Sequence, residues 1–151
     1  MGKNRKEIEN EIVNSLKLFK YKRSGKVKFA EVDSYGVVHN LQYFFWLEWA
    51  RTEYLSNLSN SIKPSDLIWK YPIMMVHAEA DYFNSIGFGD IYDIFTRVSF
   101  IKDSSIGFEN IILTEDRKVI MKASAVLVHL DPNERKPASV PDFLRELILD
   151  Y

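Results

Sequence analysis

One carboxylate, that of Asp33, ends a run of alternating residues and precedes the pattern of a long helix. Backbone N–H groups at a helix start lack partners within the helix and attract negative charge. A carboxylate beside such donors can open an activated carbonyl, because it activates a water or attacks directly while the N–H groups hold the oxyanion. A thioester is a suitable substrate for a carboxylate and N–H donors alone, since its thiolate leaves without a strong acid. The pattern therefore predicts acyl-transfer chemistry at Asp33.

Asp33 has a second interpretation, as the cap of a turn or a helix, and the two weigh about equally on this residue alone. Asn40 directly precedes the helix pattern, so we predict that Asn40 is the N-cap and that Asp33 is free for chemistry. We expect the backbone N–H groups near Asn40 to hold the carbonyl oxygen. His39 adjoins this point; it contacts the substrate or orients Asp33, or it fills the strand–helix junction.

Other charged residues have simpler explanations. Glu31 lies two residues before Asp33, on the same side of the predicted strand, and we expect an exposed surface carboxylate. Glu48 and Arg51 stand three residues apart on the helix and predict a salt bridge, either exposed or partly buried. Three widely separated histidines do not form the spacing of a metal site, so none is predicted.

Composition excludes several classes of function. The 151 residues, 46% hydrophobic and without cysteine, predict one domain with its own core and no disulfide or cysteine nucleophile. A net charge of −1 indicates neither nucleic acid nor an anionic membrane as partner. No apolar run approaches the ~20 residues of a membrane span, and the polar N-terminal segment lacks a signal-peptide core. We therefore expect a cytoplasmic protein. Neither a G-x-S-x-G elbow nor an H-E-x-x-H motif is present.

Hydrophobic periodicity predicts an α+β domain in which a sheet wraps around one helix. A short amphipathic helix is expected over residues 6–19, and the first strand after the Ser24-Gly25 break, over residues 26–31. The helix over residues 41–57 is apolar on nearly all sides, which is typical of a buried helix. Residues 56–72 read as a loop. Four antiparallel strands are then predicted over residues 73–83, 91–101, 106–114 and 119–130.

A motif around Asp33 resembles the opening signature of hotdog-fold acyl-CoA thioesterases of the 4-hydroxybenzoyl-CoA thioesterase-like group. Its residues are Asp33, Gly36, Val38, Asn40 and Tyr43, continued by Trp46, Glu48, Ala50, Arg51, Tyr54 and Leu55. Weaker blocks follow in the family's order: Asp81-Tyr82 before Gly89-Asp90, Lys102 with Ser104-Ser105, and Pro137 with Val140-Pro141. The resemblance covers roughly residues 26–144, so residues 1–24 are assigned to an N-terminal extension, expected to be helical, and residues 25–151 to the hotdog domain.

The resemblance implies a five-stranded antiparallel sheet around a long helix, in a homodimer or homotetramer with the site at the subunit interface. It implies hydrolysis of an acyl-CoA or aroyl-CoA, with coenzyme A as part of the substrate and no separate cofactor. Asp33 would be the general base or nucleophile, and the N–H of Asn40 would polarise the carbonyl. Many members carry Tyr or His at position 40, so a side-chain role for Asn40 stays open. The substrate-binding residues are taken to be Gly36, Val38, Tyr43, Arg97, Lys102 and Ser105, with Arg97 and Lys102 facing the coenzyme phosphates.

Two alternative functions fit the same scaffold. A hotdog hydratase or dehydratase usually needs a differently placed histidine with a carboxylate, for which His77 near Glu79 is a poor substitute. A non-catalytic acyl-CoA or lipid-binding module would bind without turnover. The sequence does not define the acyl group, the pathway, or the choice between dimer and tetramer.

Overall fold

The computed structural model describes residues 2–151 and contains one five-stranded antiparallel sheet flanked by helices. The elements are α1 (Arg5–Ser15), β1 (Tyr21–Lys26), α2 (Gln42–Asn57), α3 (Asp66–Trp69), β2 (Ile73–Tyr82), β3 (Ile91–Ile101), β4 (Ser105–Thr114), β5 (Val119–His129) and α4 (Asp142–Asp150). The strand order is β1-β3-β4-β5-β2, so β1 and β2 form the two edges. The predicted architecture is confirmed, although the predicted loop 56–72 contains the single turn α3. Within residues 2–151, no helix is long and apolar enough to cross a membrane.

The central helix α2 packs one face against the sheet. Trp46 is fully buried and stacks on Tyr92 of β3, with ring centroids 3.9 Å apart. The opposite face of α2 is not covered, because Phe45 and Trp49 remain about half exposed. The expectation of a helix buried on all sides is therefore wrong for this chain. Its apolar residues belong to two surfaces, one packed and one open.

The N-terminal helix α1, which the amphipathic pattern predicted, covers part of the other face of the sheet. A capping box starts it: Asn4 accepts from the backbone N–H of Glu7, and Glu7 accepts from that of Asn4. The helix ends at Ser15 and continues as a short 3₁₀ turn rather than to residue 19. Its buried contacts form a separate cluster of Ile12, Leu16, Ile111, Leu113 and Val119.

The first strand differs from its prediction. It runs over Tyr21–Lys26 and so begins inside the segment 1–24 assigned to the extension, whereas Phe29–Glu31 forms a 3₁₀ turn. The chain leaves the sheet at Val27, whose N–H and C=O are both bound by the loop before β3, at Asp90 and Gly89. Alternation in 26–31 suggested a strand, but these long-range bonds end the strand pairing and turn Glu31 inward.

The edge strand β2 exposes apolar side chains. Met74, Met75 and Val76 are all exposed, and a bulge lies between Met75 and His77. β2 pairs with β5 on one side, and among the described residues no strand pairs with its other side. A free edge with apolar side chains is a surface that proteins normally cover.

Gly25 in β1 gives the first testable prediction. A Cβ at this position would collide with the ring of Tyr92, which cannot move aside because it is stacked on Trp46. We expect Gly25→Ala to lower the free energy of unfolding by about 1–3 kcal/mol, measured by urea denaturation. Gly2→Ala is the control, since nothing lies within 4 Å of a Cβ there. Equal stabilities for the two variants would contradict the close packing of β1 on Tyr92.

Candidate functional site

Asp33 opens a tight turn that ends at Val37. Its N–H donates to the carbonyl of Val37 at 2.9 Å, and its carbonyl accepts from Gly36, whose φ is 76°. Carboxylate oxygen Oδ1 of Asp33 accepts from the backbone N–H of Tyr35 at 2.8 Å. One oxygen therefore caps the turn, as the second interpretation of Asp33 proposed. The other, Oδ2, has no hydrogen-bond partner among the described residues, so the half-buried side chain keeps one oxygen free.

The start of α2 is capped differently from the prediction. Leu41 precedes the first helical residue, and the side chain of Asn40 makes no capping bond, so the N-cap assignment of Asn40 is wrong. His39 accepts two bonds just before the helix: its Nδ1 accepts from Leu41 at 3.2 Å and its carbonyl accepts from Gln42 at 2.9 Å. The ring nitrogen of His39 nearest the helix is thus already engaged.

The two backbone polar groups of Asn40 differ, because its carbonyl is hydrogen-bonded and its N–H is not. Its carbonyl accepts a hydrogen bond of 2.7 Å from the hydroxyl of Tyr82, at the end of β2. Its N–H has no acceptor among residues 2–151. An unused N–H at a helix start is the donor expected for a carbonyl oxygen that gains negative charge.

Glu31 is buried, with 7% of its surface exposed, so the expectation of a surface carboxylate is wrong. Oε1 accepts from the indole N–H of Trp46 at 3.0 Å, and Oε2 accepts from the backbone N–H of Lys28 at 2.8 Å. The carbonyl of Glu31 accepts from the N–H of His39 at 2.9 Å. Glu31 therefore ties the chain before the Asp33 turn to α2.

An open groove of about 240 Å³ lies at the start of α2. It is lined by Val38, Asn40, Tyr43, Tyr82, Phe83, Asn84 and Ser85. The ring of Tyr43 meets Trp46 and Tyr82 edge-on, with centroids 5.4 and 5.7 Å away. Burial raises the pKa of Tyr43 to about 12, and the nearby hydroxyl of Tyr82 and charge of Asp33 add to the effect. The charge of Asp33 thus reaches a residue that lines the groove.

Four predicted site residues therefore meet around this groove and its adjoining turn: Asp33, Val38, Asn40 and Tyr43. Gly36 lies in the turn of Asp33, and its carbonyl packs 3.3 Å from where a Cβ on Gly87 would stand. His39 is adjacent but exposed.

The remaining three predicted residues lie elsewhere in the same chain. Arg97 forms an ion pair with Glu109 at 2.6 Å and lies over the ring of Phe19, on the face of the sheet that α1 covers. Lys102 and Ser105 lie where β3 turns into β4, at the end of β3 opposite to Ile91. β3 spans 11 residues, so its ends are about 33 Å apart. Within one chain these residues do not reach Asp33.

Sequence reasoning assigned no site role to Tyr82 and the wrong role to Glu31. Their partners, Asn40 and Trp46, lie 42 and 15 residues away in the chain. The sequence offered one signal for a site role of Tyr82, namely its position at the end of a strand with an exposed apolar face. That signal does not show that the strand end meets α2, which only the fold reveals.

Comparison with known proteins places this geometry in a family. A family model described as thioesterase-like superfamily matches residues 27–148. A putative esterase of Aquifex aeolicus is 26% identical over 87% of this chain and 98% of its own length. The acyl-CoA thioesterase YbgC of Haemophilus influenzae is 26% identical over 77% of this chain and 85% of its own length.

Solved structures share the fold. A thioesterase of Thermus thermophilus, complexed with coenzyme A and Zn, superposes with a TM-score of 0.77 at 25% identity, covering 87% of this chain and 93% of that one. A 1,4-dihydroxy-2-naphthoyl-CoA thioesterase of Synechocystis gives a TM-score of 0.77 at 22% identity, covering 86% and 96%. The hotdog fold expected from the sequence is confirmed.

The buried tyrosines predict how stability changes in alkali. Burial is the largest cause that raises the pKa of Tyr21, Tyr43, Tyr54 and Tyr92 from 10.0 to about 12. The unfolded chain releases these protons near pH 10, whereas the folded chain holds them to about pH 12. We therefore expect the free energy of unfolding to fall as the pH rises from about 10 to about 12.

Urea denaturation across this pH range measures the fall, and phenolate absorbance follows the ionisation. Tyr43→Phe should make the slope shallower, because it removes one of the four groups. A stability that stays constant between pH 10 and 12 would contradict the burial of these hydroxyls.

Proposed function

This chain belongs to the thioesterase-like superfamily, and we propose that it hydrolyses the thioester bond of an acyl-CoA or aroyl-CoA to the free acid and coenzyme A. One observation carries the proposal: Asp33, with a free carboxylate oxygen, lies in the turn before the unpaired N–H of Asn40 at the start of α2. The relatives named as acyl-CoA thioesterases and the coenzyme A complex of a family member support the same substrate class.

In the general-base route, Asp33 takes a proton from a water as the water oxygen attacks the thioester carbon. The carbonyl oxygen becomes an oxyanion, and the N–H of Asn40 donates a hydrogen bond to it. The C–S bond then breaks, the thiolate of coenzyme A leaves and takes up the proton, and the acid is released. Asn40 lines the groove, and Asp33 lies in the adjoining turn.

In the nucleophilic route, Oδ2 of Asp33 attacks the thioester carbon itself. The coenzyme A thiolate leaves, an acyl anhydride with Asp33 remains, and water hydrolyses it. Label in the Asp33 side chain after single-turnover hydrolysis in heavy-oxygen water identifies the nucleophilic route, because it enters there only when water cleaves the anhydride at its aspartyl carbonyl. With a general base, label appears in the product acid alone.

A second copy of the chain completes the site in this proposal. Antiparallel pairing of two β2 edges about a two-fold axis brings the Tyr82 end of one strand beside the Ile73 end of the other. Ile73 pairs with β5, and β5 pairs with Ser105 of β4 at the same end of the sheet. The partner subunit's Lys102 and Ser105 then lie beside the groove, in the direction in which the coenzyme phosphates would extend.

Arg51 supplies independent support for an assembly. Its side chain is only 6% exposed, and burial lowers the pKa of its guanidinium despite the opposing charge of Glu48. The ion pairs of residues 2–151 do not include Arg51, so the predicted bridge to Glu48 is not formed. Arg51 follows Tyr43 along one row of α2, on the side that contacts Tyr82 of β2. A carboxylate or carbonyl from a second copy would pair this buried charge.

Asp33→Asn tests the chemistry. The amide oxygen of asparagine can still accept from the N–H of Tyr35, so the turn should persist and the protein should fold. The variant loses the base or nucleophile, and we expect turnover to fall at least ~100-fold, measured as free thiol released from a panel of acyl-CoAs.

Asp90→Asn is the matched control, because Oδ2 of Asp90 likewise caps a loop by accepting from Gly87 at 2.9 Å. It should keep near-normal turnover. Normal turnover of Asp33→Asn would remove Asp33 from the mechanism. Binding of acyl-CoA by the wild type without thiol release would favour a binding module, and addition of water to an enoyl-CoA would favour a hydratase.

Met74→Asp tests the assembly. The side chain is 57% exposed on the free edge strand, so the change should leave the monomer folded while placing two carboxylates in the proposed β2 interface. We expect sedimentation velocity at micromolar concentration to give a dimer or tetramer for the wild type and a monomer for the variant. Leu149→Asp, at an exposed site on α4, should sediment as the wild type does. A wild-type monomer would contradict the proposed interface.

A further inference from the structure

We propose that Tyr82 is a positioning residue for hydrolysis, because its hydroxyl holds the backbone of Asn40 so that the N–H of Asn40 faces the thioester carbonyl. The inference rests on the proposed function and adds a residue to which that function assigned no role. Its basis is the hydrogen bond of 2.7 Å from the hydroxyl of Tyr82 to the carbonyl of Asn40.

The backbone around Asn40 needs such a support. Asn40 precedes α2, and its own side chain makes no capping bond. On either side the chain is held: His39 donates to the carbonyl of Glu31, and the N–H of Leu41 donates to the ring of His39. The N–H of Asn40 shares a peptide plane with the carbonyl of His39, which accepts from Gln42 at 2.9 Å, and the hydroxyl of Tyr82 holds the next plane through the carbonyl of Asn40. Together the two bonds fix the backbone dihedral angles of Asn40.

The orientation of the N–H of Asn40 determines how strong a hydrogen bond it can donate to the oxyanion. A hydrogen bond weakens steeply as its angle departs from linear, and an oxyanion site works because its donors are aimed before the charge develops. Rotation about the backbone of Asn40 would change the angle between its N–H and a carbonyl oxygen bound in the groove. The bond from Tyr82 opposes this rotation while leaving the N–H free for the substrate.

The ring of Tyr82 is about half exposed and is held on one side by Tyr43. Tyr82 is the last residue of β2 and pairs with Met121 of β5, and its ring meets Tyr43 edge-on with centroids 5.7 Å apart. Partial burial raises the pKa of Tyr82, so its hydroxyl keeps its proton and remains a donor at neutral pH. The hydroxyl therefore links the end of the edge strand to the start of the central helix.

Tyr82→Phe tests the role, since it deletes the hydroxyl and keeps the ring against Tyr43. We expect kcat for acyl-CoA hydrolysis to fall about tenfold, with KM within about twofold of the wild type, because the donor is aimed less well while ground-state contacts remain. Tyr21→Phe is the matched control: it deletes a hydroxyl that donates to Glu53 at 3.0 Å, outside the groove. Its kcat should stay normal.

A second readout does not depend on turnover. In backbone NMR spectra, Tyr82→Phe should shift the amide signals of Asn40 and Leu41 and speed their hydrogen exchange, whereas Tyr21→Phe should leave both unchanged. Unchanged kcat, a rise in KM alone, or unchanged amide signals in Tyr82→Phe would each overturn the inference. A wild type that releases no thiol from any acyl-CoA would instead overturn the proposed function, and the amide signals would then still test whether Tyr82 holds Asn40.

Discussion

The buried carboxylate of Glu31 is the constraint on which the candidate site depends. It accepts from the indole of Trp46 and from the backbone of Lys28, while its own carbonyl holds His39. A carboxylate is buried at low cost only when donors satisfy it, so these bonds specify how the segment from Lys28 to His39 lies on α2. The Asp33 turn stands within this segment, and its distance from the start of α2 follows from that anchoring.

Packed aromatic rings form one wall of the groove. Trp46 lies between Tyr92 on the sheet and Tyr43 under the groove, so the aromatic packing that stabilises α2 also fixes a wall of the site. At the helix start, His39 accepts from the N–H groups of Leu41 and Gln42, and Tyr82 donates to the carbonyl of Asn40, whereas the N–H of Asn40 has no partner among residues 2–151. Asn40 is exposed and lines the groove, so its N–H is available to a bound carbonyl oxygen.

Sequence periodicity alone predicted the helices and strands that long-range bonds do not alter. The alternation over residues 91–101 and 106–114 and the helical spacing after Leu41 gave their strands and helix closely. Long-range bonds decided the rest: Val27 is bound by the loop before β3, so the chain leaves the sheet before Phe29–Glu31, and Glu31 turns towards Trp46. The N-cap prediction for Asn40 failed because the helix starts at Gln42, one residue later than predicted, and His39 accepts from Leu41 through its ring and from Gln42 through its carbonyl. Residue type alone does not reveal this.

The two interpretations of Asp33, turn cap and reacting carboxylate, are compatible because they use different oxygens. Oδ1 accepts from the N–H of Tyr35, and this bond fixes the plane of the carboxylate and hence the direction of Oδ2. A carboxylate without that bond would rotate freely and would spend only part of its time aimed at the substrate. The turn that looked like the simpler alternative is thus a means of orienting the base or nucleophile, just as the bond from Tyr82 orients the donor at Asn40. In both cases a hydrogen bond to one atom of a group positions the other atom for chemistry.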